Sequence, residues 1–364
     1  MHYIKVDTLK LFIETVFIKI GLSPKDALIC ADILITSDLR GIESHGIGRL
    51  RMYVERILNG QIEKNAIPKI IRESPTTVVL DGQHGVGMVV AHQAMSLAIE
   101  KAKKYGMGSV AVKNSTHFGI DGYYPLMAVK ENMIGMSFTN ARPSVAPTFG
   151  TQPMFGTNPI AFGAPTDEDF PFLFDAATSI TQRGKIEVFN RKGKDACEGW
   201  VIDPLGQSLT NTQSILNGFA RSEASLLPLG GESEALGGHK GYGLAIIVEI
   251  LSSSLQSGAF LSRLSGLNAD GSNARFNVGH FFMAISIESF LPINEFKSNI
   301  GNLLRELRAS RKMPGQPRIF TAGEKEFYNE LEVKQNGVPI NEALNQDIQY
   351  IRHLLNMSDF ETNA

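Results

Sequence analysis

The chain has 364 residues, with 35 Lys+Arg against 37 Asp+Glu and a formal net charge of −2. That balance, with no lysine–arginine run, excludes the electrostatic footprint of a nucleic-acid binder. A content of 43% hydrophobic and 20% charged residues excludes a disordered or fibrous chain. Two or three domains are expected at this length. Cys30 and Cys197 are the only cysteines and form no C-x-x-C pair, so a reducing, cytoplasmic setting is expected. The apolar start is broken by Asp7, Lys10, Glu14 and Lys19, so it reads neither as a signal peptide nor as a membrane span.

Residues 7–20 place Leu9, Phe12, Ile13, Val16, Phe17 and Ile20 on one helical stripe behind Asp7, a candidate N-cap. Ser23-Pro24 opens a second helix that runs to about Leu39. A third, "GRLRMYVERILNG", ends at Gly60. After Pro68, "KIIRES" and "TTVVLDG" read as strands around a turn. A helix over 86–105 stops at Gly106. "GSVAVKN" then reads as a strand, "GYYPLMAVKEN" as a helix, and "IGMSFTN", "PIAFGAP" and "PFLFDAAT" as strands. Residues 185–212 look polar and turn-rich. "GYGLAIIVEILSSSLQSG" predicts a long helix buried on several sides, and "GHFFMAISIES" a strand. Helices return over about 295–309, 323–335 and 341–356. Strands interleaved with helices predict an α/β protein. The helical ends, 1–75 with 290–364, are expected to pack as one domain around an α/β domain of 76–289, with a smaller nested unit around 125–225.

Nucleotide and metal signatures fail. "VVLDGQHGVGM" spaces Gly82, Gly85 and Gly87 as G-x-x-G-x-G, which is not the G-x-G-x-x-G of a Rossmann turn, and no P-loop pattern occurs. None of the eight histidines forms H-E-x-x-H or another close ligand pattern, so no metal site is expected.

Single positions leave two readings each. In "SDLRGIESHGIGRLRMY", Ser44, His45, Arg49 and Tyr53 either mark a capped helix start or line an anion site, since a guanidinium matches a carboxylate with two parallel hydrogen bonds. If the third helix begins near Gly46, Arg49 and Tyr53 share a face. His117, in "KNSTHFGIDGYY" at a strand end, is either an ordinary loop histidine or a proton donor and acceptor. Lys240, in "GGHKGYG", is a solvated residue at a glycine hinge or a phosphate ligand at a helix N-terminus. Asp175, ending the strand "FLFDAATS", either accepts from ribose hydroxyls or caps a turn.

Together, "SDLRGIESHGIGRLRMY", "NSTHFGIDGYY", "FGTNPIAFGAP", "FDAATS", "GGHKGYGLAIIVEILS" and "MPG", in this order, resemble the type 2 malate/L-lactate dehydrogenase family, which also holds ureidoglycolate, sulfolactate and diketogulonate oxidoreductases. The resemblance runs from about residue 5 to beyond 340. It implies an NAD- or NADP-dependent 2-hydroxyacid oxidoreductase, a mixed-sheet cofactor domain of non-Rossmann type, and a homodimer. It implies His117 as the proton donor and acceptor, with Ser44, His45, Arg49 and Tyr53 lining the substrate site. Cofactor contacts carry over to Ala141, Asp175, Ala176, Ala177, Lys240, Met313, Pro314 and Gly315, with Thr157 and Asn158 supporting the same cleft. Ala141 stands where some relatives carry serine, and Arg142 beside it adds a cation, which leaves NAD against NADP open. Malate/oxaloacetate is the expected pair; lactate/pyruvate, ureidoglycolate and cyclic imino acids are the alternatives, as is a non-catalytic binding protein on the same fold. A dicarboxylate calls for a second cation, for which Arg40 and Arg142 are the candidates.

Overall fold

The computed structural model describes residues 2–268 and 270–357. Their elements run β1 (His2–Ile4), α1 (Val6–Lys19), α2 (Pro24–Leu39), α3 (Leu50–Leu58), β2 (Lys69–Glu73), β3 (Thr77–Asp81), α4 (Gly87–Tyr105), β4 (Met107–Ser115), α5 (Tyr123–Lys130) and β5 (Met133–Thr139). The chain continues through β6 (Ile160–Ala164), β7 (Phe172–Ala176), α6 (Arg183–Arg191), β8 (Val201–Ile202), α7 (Thr212–Arg221), β9 (Ser225–Leu226), α8 (Gly238–Ser253) and β10 (Val278–Ser286). It ends with α9 (Ile293–Ala309), α10 (Glu324–Asn336), β11 (Val338–Ile340) and α11 (Glu342–Leu354).

Local chemistry sets many of these limits. Ser23 accepts the Asp26 N–H at 3.2 Å and Pro24 opens α2. Gly106 ends α4 in the left-handed conformation at φ 85°. Asn211 and Asn341 cap α7 and α11 through the N–H groups of Ser214 and Leu344.

The main sheet has seven strands in the order β2-β3-β4-β10-β5-β6-β7. Only β3 and β4 run parallel, joined by the α4 crossover; every other neighbouring pair is antiparallel. Alternation along the strands divides two cores. Val110, Val112, Phe282 and Ala284 face α4, while Ala111, Phe281 and Phe138 face Val248 of α8. Each fully buried Val or Phe side chain in these layers contributes about 1.5–3 kcal/mol.

Register decides where chemistry gathers. Asp81 lies beside Lys113, Ser115 beside Val278, His280 beside Thr139, and Ile160 beside both Phe138 and Ala176. The connections 82–86, 116–122, 140–159, 177–182 and 258–277 therefore all leave or enter at one edge of the sheet.

The two chain ends meet. β1 pairs antiparallel with β11, His2 opposite Ile340. Ile4, Phe12, Ile340 and Ile351 belong to the same continuous core as Val90 of α4 and Phe282 of β10. A separate apolar cluster, with Val145, Phe155, Ile186, Val201, Ile215 and Leu226, lies under the two-stranded β8–β9 sheet.

Four expectations change. Asp7 does not cap α1: the N-cap is Lys5, and Asp7 lies inside the first turn. The stretch 185–212, read as turns, contains most of α6, a short helix that buries only Gly184 and Ile186. The third helix does not run unbroken from Gly46: Ile47–Arg49 form a 3-10 turn, and α3 starts at Leu50. Helix α8 is buried against the sheet, but Leu244, Ile247 and Ile250 stay exposed on its outer side.

Candidate active site

Below the turn that carries Ser44, His45 and Arg49 lies Asp38, near the end of α2. Its buried carboxyl accepts the Ile47 N–H at 2.8 Å. Gly46 permits this approach, since a Cβ there would lie 1.9 Å from Asp38 Oδ1. Burial pushes Asp38 up to about 8, against the pull of the Ile47 N–H, so the group is mostly a neutral acid at pH 7. Asp38→Asn keeps an acceptor of the same shape and is expected to leave Tm and KM close to wild type. Asp38→Ala strands a buried N–H and is expected to cost about 1–3 kcal/mol. Thermal denaturation of both variants checks this; equal losses would show that the acceptor is not what matters.

The turn lays His45 on the β4–α5 connection, while Ser44 and Arg49 lie against Gly184 at the start of α6. Arg49 Nε donates to the Ser44 carbonyl at 2.6 Å, and Ser44 Oγ and His45 Nδ1 are 2.8 Å apart. The His45 ring stacks on His117, with centroids 5.5 Å apart and planes at 18°. Tyr53, fully buried in α3, places its hydroxyl 2.5 Å from His117 Nδ1. The Gly119 N–H on the same side serves the Tyr53 hydroxyl, so Nε2 is the ring atom left for a ligand. Gln182, at the entry to α6, donates to Ser44 Oγ at 3.5 Å and closes the far side.

The electrostatics are one-sided. Burial, reinforced by His45, Arg49, Arg56 and His280, holds His117 well below the usual histidine range. Burial and Arg49 lower His45 to about 4. Both rings are neutral at pH 7. Burial raises the Tyr53 hydroxyl above its ordinary value, so it stays protonated. Behind the site, burial lowers His280 to about 3. Its two nitrogens meet Thr139 Oγ1 and Ser115 Oγ, each at 2.8 Å, and its ring stacks 4.5 Å from Phe118. It is a satisfied core residue that fixes the residue next to His117.

The other sequence-predicted positions spread along the same edge. Asp175, exposed at the end of β7, accepts the Gly122 N–H at 2.7 Å. It opens on a cavity of about 290 Å³ that Arg40, Phe174, Phe320, Gly323 and Glu326 also line. Arg40 is buried there and faces Glu330 of α10 at 3.7 Å, so its charge is directed to that acid. Ala176 and Ala177 follow Asp175 out of the sheet, half-buried. Ala141 packs closely on Gly156, where a Cβ would lie 2.5 Å from the Ala141 carbonyl oxygen. The Thr157 and Asn158 carbonyls receive Thr178, bracing the exit from β7. The Asn158 side chain is fully buried and turned toward α8, donating to Glu249 Oε2 at 2.8 Å and to the Ala245 carbonyl at 3.2 Å. Lys240 is exposed in the first turn of α8. Met313, Pro314 and Gly315 form an exposed turn with Gly315 at φ 81°. The segment they begin reaches β7, where Leu173 N–H donates to the Ala322 carbonyl at 3.3 Å.

These groups fit a dinucleotide. A lysine in the first turn of a 16-residue helix suits a pyrophosphate, and an exposed strand-end carboxylate suits ribose hydroxyls. The buried hydroxyls of Thr148 and Thr181, beside these connections, have no partner within the chain. Among the described residues no group of three or more His, Cys, Asp or Glu could hold a metal ion, and no helix is long and apolar enough to cross a membrane. Two further residues face the site without having been singled out in the sequence: Gln182, and Arg56 on the Tyr53 face of α3. Arg56 follows Tyr53 by three and Arg49 by seven, a helical spacing that does point to it.

A neutral histidine held by a tyrosine, an arginine beside it, and fittings for a dinucleotide form a site suited to moving a proton and a hydride on a small acid. Comparison with known proteins agrees. Residues 4–349 match the malate/L-lactate dehydrogenase family. The malate dehydrogenase of Pyrococcus abyssi is 47% identical over 362 residues, 99% of this chain and 97% of that one. The crystal structure of malate dehydrogenase from Entamoeba histolytica superposes with a TM-score of 0.94 at 44% identity, covering 97% and 98% of the two chains. Sulfolactate dehydrogenase from Methanocaldococcus jannaschii gives 0.85 at 36% identity, covering 97% of each. The chain belongs to the malate/L-lactate dehydrogenase family and is a 2-hydroxyacid dehydrogenase, a class that uses a nicotinamide cofactor.

Proposed function

We propose that the enzyme interconverts malate and oxaloacetate with NAD, and that His117 is its proton donor and acceptor. The contact that carries this reading is the 2.5 Å approach of Tyr53 Oη to His117 Nδ1, with Arg49 alongside. A bound nicotinamide supplies or accepts the hydride at C2. In oxidation, neutral His117 takes the substrate hydroxyl proton on Nε2. Nδ1–H donates to Tyr53 Oη, and the Tyr53 hydroxyl donates to the His117 carbonyl, 3.4 Å away. In reduction the same Nε2 returns the proton to the developing alkoxide. Arg49 pairs with the C1 carboxylate and fixes the face shown to hydride. His45, neutral with Nδ1 on Ser44, presents its other nitrogen to the same oxygen atoms. Lys240 would hold cofactor phosphate and Asp175 a ribose. Ala141 would meet the cofactor through its backbone, and the 313–315 turn would add a further contact.

The names of the relatives support the substrate: malate dehydrogenase in Pyrococcus abyssi and malate/(S)-sulfolactate dehydrogenase in Methanothermus fervidus. We also propose a cytoplasmic homodimer. The exposed Leu244, Ile247 and Ile250 on α8 are the apolar surface a second copy would cover. The test is NADH and NADPH against oxaloacetate, pyruvate and 2-oxoglutarate, followed at 340 nm. Oxaloacetate with NADH is expected to give the highest kcat/KM; no oxidation with any pair would sink the reading.

A further inference from the structure

We propose that Arg56, with Arg142, holds a second anionic group of the substrate, a carboxylate or sulfonate borne on C3, while Arg49 takes the carboxylate on C1. The inference rests on the 2-oxo acid reading of the site and adds the group that selects a dianion.

Arg56 lies three residues after Tyr53 on α3, so its guanidinium leaves the helix on the side from which Tyr53 reaches His117. It is half-buried and lies over the Phe276 ring, 4.4 Å from the centroid. That ring is a fixed wall, because the Phe276 carbonyl and His84 Nδ1 are 3.0 Å apart, tying 258–277 to the turn before α4. Arg142 stands on the 140–159 connection at the same sheet edge. Its charge and that of Arg49, after burial itself, lower the Arg56 guanidinium.

Among the described residues no ion pair involves Arg49, Arg56 or Arg142. Arg51, on the same helix, pairs with both Glu55 and Asp347. The fold thus supplies counter-ions on the outer face of α3 and none on the face toward His117. Three neighbouring guanidinium groups, Arg49 and Arg56 half-buried and Arg142 exposed, are stabilised only by an anion from outside. One carboxylate offsets one charge. A dianion offsets two and places its ends on different arginines, which fixes the length and orientation of the molecule between them.

The experiment compares wild type, Arg56→Gln, Arg56→Lys and Arg142→Gln with oxaloacetate, 3-sulfopyruvate and pyruvate, together with NADH binding by fluorescence. Losing a charge-assisted bond should lower kcat/KM for both dianions by about 10²-fold in Arg56→Gln and about tenfold in Arg142→Gln, mainly through KM. Pyruvate should change by less than about threefold, NADH affinity should hold, and Arg56→Lys should recover part of the loss. Relative loss on oxaloacetate against 3-sulfopyruvate shows which anion the pair fits better. Equal losses on pyruvate and the dianions overturn the proposal, as does a loss of NADH affinity with unchanged discrimination. If Arg56→Gln fails to fold, exposed Arg142 carries the test. A wild type that reduces none of the three acids is a different failure: it removes the 2-oxo acid reading, and this inference with it.

Discussion

Replacing His117 with alanine is expected to lower kcat by about 10²-fold or more in both directions, the scale on which a general acid and base contributes. Cofactor affinity should be little changed, because Nδ1 is engaged with Tyr53 and only Nε2 is left for the proposed substrate. The pH profiles carry a second, independent expectation. In the free enzyme, burial and the surrounding cations hold His117 well below the ordinary histidine pKa, so it is neutral at pH 7. Oxidation uses the neutral form. Its kcat/KM should therefore stay flat as pH falls from 8 through the range where a normal histidine, near 6.5, would protonate. Reduction uses the protonated form, so its kcat/KM should fall about tenfold per pH unit above the depressed value. Binding an anionic substrate offsets Arg49 and Arg56 and raises His117 in the complex. The pKa seen in kcat, which reports the complex, should then lie above the pKa seen in kcat/KM, which reports the free enzyme. Coincident or reversed values would mean that another group titrates, or that no anion sits among the arginines.

Much of this arrangement is written locally. The apolar stripe of α1, the Ser23-Pro24 start of α2 and the alternation in β4 and β10 announce their elements, because each buries one face of a regular period. What stays hidden depends on partners distant in the chain. β1 and β11 have three residues each and exist only because the two ends meet. β8 and β9 have two each. Helix α6 buries little, so its polar sequence reads as turns. The same division holds in the site. His117, Ser44 and His45 stand out as motif residues, and Tyr53 and Arg49 share a spacing. That Tyr53 spends its hydroxyl on His117 is visible only once α3 lies against the β4–α5 connection. Asn158, in a conspicuous block, turns its side chain to Glu249 on α8, which no local pattern records. Arg40, a candidate for the second cation by its place in the motif, faces Glu330 instead, some 290 positions further along the chain.

The glycines of "DGQHGVG" failed as a nucleotide fingerprint, and the structure supplies their purpose. Gly87 opens α4 and donates its N–H to Thr116 Oγ1 at 2.8 Å, while Thr116 Oγ1 donates to the Gly85 carbonyl at 3.0 Å. A Cβ on Gly87 would lie 2.1 Å from the Thr116 carbonyl oxygen and 2.4 Å from that of His117. Both obstacles are backbone, so no side chain can swing aside. Gly87→Ala must therefore push the 116–117 segment away by on the order of 1 Å, which is enough to cost about 10²-fold in rate through misplacement alone. Overpacking should also remove about 1–3 kcal/mol of stability. The expected signature is a large fall in kcat with a lowered Tm, while NADH binding stays near wild type because Lys240 and Asp175, the residues proposed to hold it, stand on other elements. A variant with the lowered Tm but full kcat would show that His117 tolerates the shift, and that the close approach of α4 serves the core alone. A full-length enzyme that loses both rate and NADH affinity would point to collapse of the whole edge. Only the split outcome assigns this glycine the task of seating the proton relay.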